Sequence, residues 1–385
     1  VAFGADAVYC GLKDFNLRAG AENFSLEELP PILEEIHQAG RKFYLALNIF
    51  ARPEHIQHLQ DILPRLSLLS IDAIIVSDPG VISLVRKSVP NIPIHLSTQA
   101  NTMNAQAAEF WRHAGIKRII LARELSLEEL QDIRRQFKGE LEVFVHGAMC
   151  MSYSGRCFLS DYMASRRANE GDCAQPCRWT YRLQEERRSE EPLVAEEDEK
   201  GTTFLSSYDL CLMPYLDRLV DCGIDALKIE GRMKTIYYLS WVIHAYRKAL
   251  DEYKTTGLID TRKYMSWLER VSHRKYSNGF LFSRSPGQQY GRPAYHQDTE
   301  FVGEVRKLIN GLYKVDVKNR VSCGEVIRYF SPVDDQETTV KQIKNERGES
   351  LSTVHSGQIC LMGFTTELRG KPVLLYRHVK EQENG

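Results

Sequence analysis

Residues 43–77 read FYLALNIFARPEHIQHLQDILPRLSLLSIDAIIVS. The stretch opens on an apolar and aromatic run that ends in Asn48. It then passes through a segment with apolar residues three and four apart, and returns to a β-branched run ending in Ser77. A strand buried on both faces is apolar throughout, whereas a surface helix keeps one apolar stripe. The stretch therefore predicts strand, helix, strand: one crossover of a parallel sheet.

The same unit recurs on both sides. Strands are predicted at Ala7–Tyr9, Phe43–Asn48, Ala73–Ser77, Ile94–Ser97, Arg118–Leu121, Glu142–Val145 and Ala226–Ile229. Amphipathic segments lie between them at Ser25–Ala39, Pro53–Leu69, Gly80–Ser88, Asn104–Ala114 and Ser126–Phe137. Ser25 and Ser126 read as N-caps, each with glutamate close behind. Gly40 and Gly115 read as C-terminal stops. The alternation predicts an α/β fold. An eighth strand would close a (β/α)8 TIM-like barrel, and the expectation is that the first strand is missing ahead of Val1. An open doubly wound sheet is the alternative. Against it, no G-x-G-x-x-G loop follows an early strand. In addition, polar residues stand at the C-terminal ends of almost all the strands, where barrels place their chemistry.

Two segments interrupt the pattern. Residues of about 146–205 form a cysteine-rich insertion that holds the cysteines and then a charged stretch, Gln184–Lys200, that reads as a solvated loop. Ser283–Arg292 is rich in Gly, Pro and Ser and reads as a linker. The barrel is thus expected over 1–285. Over 290–385 the period shortens, with β-like runs at Phe301–Val305, Leu312–Val317, Glu325–Phe330, Thr338–Lys344, Gln358–Met362 and Val373–Tyr376. Turns fall at Asn310-Gly311 and Arg347-Gly348. This predicts a small antiparallel β-barrel domain, a module that either binds a partner, RNA included, or serves only as structure.

Composition narrows the classes. Among 385 residues, Lys+Arg (50) balance Asp+Glu (51). No global basic footprint for nucleic acid exists, although a local patch suffices. No run approaches the roughly 18 apolar residues of a membrane-spanning helix, and no secretory signal is visible. Nine cysteines, an odd number, suit reduced thiols in a cytoplasmic protein, some serving as ligands.

Four of those cysteines cluster. Cys150, Cys157, Cys173 and Cys177 follow a C-x6-C-x15-C-x3-C spacing. Four thiolates from one short segment can close around one metal or cluster. The bland alternative is four unrelated buried cysteines. Structural zinc is the serious rival, but it favours C-x2–4-C knuckles, and neither the x6 gap nor the missing C-x2-C fits it well. Tyr153, Phe158, Trp179 and Tyr181 interleave with the thiols, as shielding for a cluster or as ordinary core. An iron–sulfur cluster is preferred. Cys211 or Cys222 could substitute for one ligand.

Other candidates sit where strands end. His146 follows the strand Glu142–Val145, four residues before Cys150, and is expected on the catalytic rim. Asn48, Ser97, Thr98, Gln99, Asn101, Arg123, Glu124, Lys228, Glu230 and Arg232 share that placement. Arg123 and Arg232 can clamp a carboxylate. Glu230 is a candidate general base or a partner that orients Arg232. His273 and Arg274 lie in a polar turn after the last helix. Arg156, Arg166, Arg167, Arg178, Arg182, Arg187 and Arg188 make the cysteine region locally basic, either toward phosphates or as plain solvated surface.

The sequence resembles peptidase family U32, called collagenase-like, over nearly its whole length. The resemblance rests on Gly4-Ala-Asp-Ala-Val-Tyr9, His95-Leu-Ser-Thr-Gln-Ala-Asn101, His146-Gly-Ala-Met-Cys150 with Tyr153-Ser-Gly-Arg-Cys157, Lys228-Ile-Glu-Gly-Arg-Met-Lys234 and Ser272-His-Arg274. It departs from the family at the start, where a leading strand is expected. The resemblance implies more than one activity. Some members carry the name of protease. Others are oxygen-independent hydroxylases with a 4Fe-4S cluster, acting on a tRNA wobble uridine with prephenate, on ribosomal RNA, or on a quinone precursor as a heterodimer. The Cys-Ala-Gln-Pro-Cys-Arg-Trp stretch and the β-domain place this chain nearest the tRNA branch. By that resemblance Cys150, Cys157, Cys173 and Cys177 are the cluster ligands, tRNA and prephenate are the partners, and a homo- or hetero-oligomer with a paralogue is conceivable. The rival readings are a peptidase and a non-catalytic RNA-binding protein with a structural metal. Neither H-E-x-x-H nor G-x-S-x-G is present for hydrolysis, and a ligated cysteine is not a free nucleophile.

Overall fold

The computed structural model describes residues 1–13, 23–150, 152–170, 172–179, 208–283 and 295–379. The charged stretch Gln184–Lys200, Tyr181 with the arginines beyond it, and nearly all of the predicted linker lie outside the described residues.

Strands and helices alternate as the apolar runs dictate. The order is β1 Ala7–Gly11, α1 Leu29–Gln38, β2 Lys42–Ala46, α2 Pro53–Leu66, β3 Ala73–Val76, α3 Pro79–Ser88, β4 Ile94–Leu96, α4 Ala105–His113, β5 Arg118–Ile120, α5 Leu127–Gln136 and β6 Glu140–Ala148. The cysteine segment carries α6 Leu159–Ala164. Then come β7 Asp209–Cys211, α7 Leu216–Asp221, β8 Ala226–Ile229, the long α8 Ile236–Thr256, α9 Thr261–Leu268 and β9 Tyr276–Ser277. Ser126 caps α5 with a full capping box: its hydroxyl accepts from Glu129 N–H and Glu129 returns to Ser126 N–H. Ser25 does not cap α1. That helix starts at Leu29, with Pro30 at its head, and Ser25 only gives its N–H to Glu28.

β1 through β6 pair in sequence, all parallel, and β8 joins the far side of β6. The result is a TIM-like arrangement with helices around the sheet. Sequence reasoning missed β7, which runs antiparallel to the end of β6 and is followed by β9. β1 and β8 face each other without strand pairing among the described residues. Side chains span the gap instead: Tyr9 donates to Glu230 (3.0 Å), and the Lys228 ammonium sits 4.1 Å from the Tyr9 ring. A groove of about 1790 Å³ runs along these two edges.

The C-terminal unit is a closed antiparallel barrel. Its strands are β10 Thr299–Ile309, β11 Leu312–Val317, β13 Val326–Phe330, β14 Asp335–Lys344, β17 Ile359–Phe364 and β18 Val373–His378. Short pairs β12 Val321–Ser322 with β16 Thr353–Val354, and β15 Ser350–Leu351 on β14, complete it. The pairing β13–β14 closes the ring. It docks on α8 through aromatic rings: Phe330 stacks on Trp241 at 3.6 Å, and Tyr237 stacks on Phe301 at 5.1 Å. Arg270 covers the other side of the seam, 4.3 Å from the Trp241 ring and hydrogen-bonded to Asp335 (2.7 Å).

A buried ion pair holds the returning chain. Arg274 donates twice from its guanidinium to Asp209 (2.7 and 3.0 Å) and once from its backbone. Burial alone would raise the Asp209 carboxyl, but Arg274 outweighs it and the pKa falls below the usual carboxylate value. This contribution is complete above the unfolded carboxylate pKa near 4 and is lost as pH drops through the lower folded value. Urea unfolding should show it as stability declining below about pH 4. Arg274→Met, which strands Asp209 in the interior, should cost about 3–5 kcal/mol at neutral pH.

Candidate functional site

The C-terminal ends of β2 to β5 form an arc of polar residues, and the cysteine segment lies over it. Arg156 donates to the Gln99 carbonyl (3.4 Å), Ser154 N–H donates to Glu124 (3.2 Å), and Phe50 N–H donates to the Asn169 carbonyl (3.3 Å). Gly155 makes the close approach possible. Its φ is +75°, and a Cβ there would fall 2.4 Å from Gln99 Cγ.

Under this cover the arc is polar and buried. Ser97 donates to Gln99 Oε1 (3.1 Å), and Thr98 donates to the Leu121 carbonyl (2.9 Å). Arg123 donates to the Ala148 carbonyl (2.7 Å) with its guanidinium 3.7 Å from the Phe144 ring. It is thereby fixed between β5 and β6, beside the start of the cysteine segment. Asn48, Gln99, Asn101 and Arg123, four of the sequence candidates, thus occupy one arc. Below it, Glu142 is buried between Lys228 (2.8 Å) and Arg118 (3.1 Å). Lys228 therefore belongs to a charge cluster inside the barrel and not to its rim.

The thiols are coupled. Cys150 and Cys157 share a hydrogen bond that holds Cys157 down to about 5 and pushes Cys150 up, and the charge of Cys177 acts on Cys150 as well. Cys173 Sγ accepts from Gln175 N–H (3.4 Å) in the same segment. A thiolate-bearing donor set of this kind suits a soft metal or a cluster. Among the described residues, no three His, Cys, Asp or Glu side chains are gathered at metal-coordinating spacing. Cys211 and Cys222 lie elsewhere. Cys211 is buried beneath α8 against Tyr246, its thiol pushed up to about 12, and Cys222 caps the end of α7 near Arg134.

Other candidates fall away from the arc. His146 is 1% exposed and packs against Tyr238, Tyr246 and Tyr276 on the α8 side of the sheet. A register shift between Phe144 and His146 in the β6–β8 pairing turns it there. Burial lowers its pKa to about 3, which leaves the ring neutral. His273 stacks on Tyr276 and bonds Glu269, and Arg274 is fully engaged by Asp209. These three are structural members of the α8–β9 side. Glu230 and Arg232 end β8, with Glu230 held by Tyr9 and Arg232 donating to Asn23 (2.8 Å). Gly147, at φ +115°, lets β6 pass the Glu230 carbonyl, which a Cβ would meet at 2.3 Å. Sequence reasoning named Ser97, Thr98 and Glu124 only as rim residues and missed Thr102, whose hydroxyl is buried with them.

Gly155→Ala should lift the cysteine segment off Gln99. The expected result is a lower melting temperature and faster alkylation of Cys150 and Cys157 in metal-free protein, read by mass spectrometry. Unchanged alkylation would show that the segment is not held by this contact.

Residues 1–290 match Peptidase family U32, and residues 297–375 match the Peptidase family U32 C-terminal domain. The tRNA hydroxylation protein P of Escherichia coli (strain K12) is 36% identical, over 91% of this chain and 87% of that protein. The tRNA hydroxylation protein P1 of Bacillus subtilis (strain 168) is also 36% identical, over 91% and 85%. The Collagenase of Porphyromonas gingivalis (strain ATCC BAA-308 / W83) is 30% identical, over 94% and 83%. With a barrel and a β-domain that each match the corresponding family region, the chain belongs to peptidase family U32.

Proposed function

We propose that the protein hydroxylates a wobble uridine of tRNA, with a 4Fe-4S cluster on Cys150, Cys157, Cys173 and Cys177 and prephenate as co-substrate. The observation that carries this reading is the seat of the cysteine segment: Ser154 and Arg156, between Cys150 and Cys157, bond the polar residues at the strand ends. Its similarity to tRNA hydroxylation proteins over most of both chains supports the same reading.

Adding a hydroxyl to a pyrimidine carbon is an oxidation, and side chains do not supply it readily. A bound iron–sulfur cluster would supply one-electron redox chemistry there. The chain's own residues bind and exclude. Arg123, fixed on Ala148 and Phe144, is the cation assigned to a carboxylate of prephenate. Glu124, held by Ser154, keeps the cover on the arc and limits water. Glu230 keeps its place through Tyr9 and orders the β8 end, where Arg232 offers a second cation. His146 stays neutral and buried, so it carries no general-base role at the mouth.

The peptidase reading has one relative's name behind it. Among the described residues His146 is not placed as a base for Cys150 or Cys157, because it faces α8. Two measurements separate the readings. Anaerobically purified protein should be coloured and contain iron and sulfide; a colourless protein with one zinc would sink the cluster. Nucleosides from tRNA of a deletion strain should lack 5-hydroxyuridine derivatives, restored by wild type and not by Cys157→Ala. Unchanged nucleosides together with cleavage of a gelatin substrate would establish the peptidase instead.

A further inference from the structure

The arc holds more unpartnered polar atoms than the roles above employ. Among the described residues, Asn48 Oδ1, Gln99 Nε2, both amide atoms of Asn101 and Thr102 Oγ1 are buried without a hydrogen-bond partner. Gln99 and Thr102 are each 1% exposed. A buried polar atom left unpaired costs about 1–3 kcal/mol. Several on one arc point to a ligand that completes them.

Their placement is ordered. Asn48 ends β2, and Ser77 at the end of β3 donates to its carbonyl (3.4 Å). Gln99 follows β4 with its Oε1 already engaged by Ser97, so its Nε2 is the donor that remains. Asn101 sits at φ 50°, a left-handed turn, and brings both a donor and an acceptor to the same rim.

We infer that these carboxamides select the base, by reading the imide edge of uracil. The inference rests on the RNA-hydroxylase reading and adds the residues that discriminate. The imide edge presents acceptor, donor, acceptor. Gln99 Nε2 and Asn101 Nδ2 are donors for the two carbonyls, and Asn48 Oδ1 is the acceptor for the N3–H between them. Cytosine inverts two of the three positions. Its N3 would face Asn48 Oδ1, acceptor against acceptor, and its amino group would face an amide N–H. Single-stranded bases splayed out of an RNA loop are read on this edge. A site built to hydrogen-bond one partner discriminates strongly against one that leaves its groups unpaired.

Binding of two hairpin RNAs tests this. They differ only in the hydroxylated loop base, uridine or cytidine, and are titrated against the full chain purified anaerobically. Wild type should favour uridine by about tenfold or more. Asn48→Ala should narrow the ratio to about threefold or less. Gln99→Glu keeps the shape but replaces the donor with an acceptor, which suits a cytosine amino group while the N3 position still suits uracil, and should erase the uridine preference. If that variant does not fold, the ratio in Asn48→Ala carries the test. Equal binding of both hairpins by wild type, or full uridine preference in Gln99→Glu or Asn48→Ala, would overturn the inference and leave RNA hydroxylation standing. Failure to bind either hairpin would overturn the RNA reading, and this inference with it.

Discussion

Glu142 is the charge around which the barrel is organised. It is buried inside the sheet, where an unpaired carboxylate is prohibitively costly. Burial pushes its pKa up, but Lys228 and Arg118 more than offset that and it remains ionised. The pairs tie β5, β6 and β8 to one another across the interior. Lys228 in turn reaches the Tyr9 ring, so the same charge also approaches β1. His95 lies close enough to feel both cations, and burial together with them holds it near 4. The strand ends above this cluster inherit its spacing. The relative placement of Asn48, Gln99 and Arg123 is a consequence of how the interior charges are satisfied.

Strand–helix alternation was readable because each buried parallel strand is apolar throughout, and all the expected strands of the barrel exist within a few residues of their predicted bounds. The β-domain was equally legible from its short runs and Asn-Gly turn. What sequence could not show was the direction of single side chains. Glu142 and Phe144 take alternate positions on β6, and simple alternation would send His146 the same way. One bulge moves it to the opposite side. β7 escaped notice for a related reason: three residues, Asp209–Cys211, carry too little pattern to mark a strand, and their partner is chosen by the Arg274 ion pair, distant in sequence.

The site candidates sort the same way. Positions defined by a strand terminus, such as Asn48, Gln99 and Arg123, follow from the strand pattern and lie at the ends of β2, β4 and β5. Positions defined by tertiary partners, such as His273 and Arg274, were polar for structural reasons that only Glu269 and Asp209 explain. Spacing groups the four cysteines in sequence; in the structure Cys150 and Cys157 interact directly and the charge of Cys177 reaches Cys150.

The aromatic seam between α8 and the β-barrel has a consequence for how the protein is built up. Trp241, Tyr237, Phe330 and Tyr376 belong to one continuous hydrophobic cluster with the sheet. The boundary near residue 290 is a boundary in sequence and topology, but apolar packing crosses it, while the β-barrel keeps a second core of its own. Separating the units would leave large apolar rings in water, each burying 150–250 Å² in the intact protein by ordinary aromatic dimensions. A partner that grips the β-barrel is mechanically coupled, through α8, to the strands whose ends form the mouth.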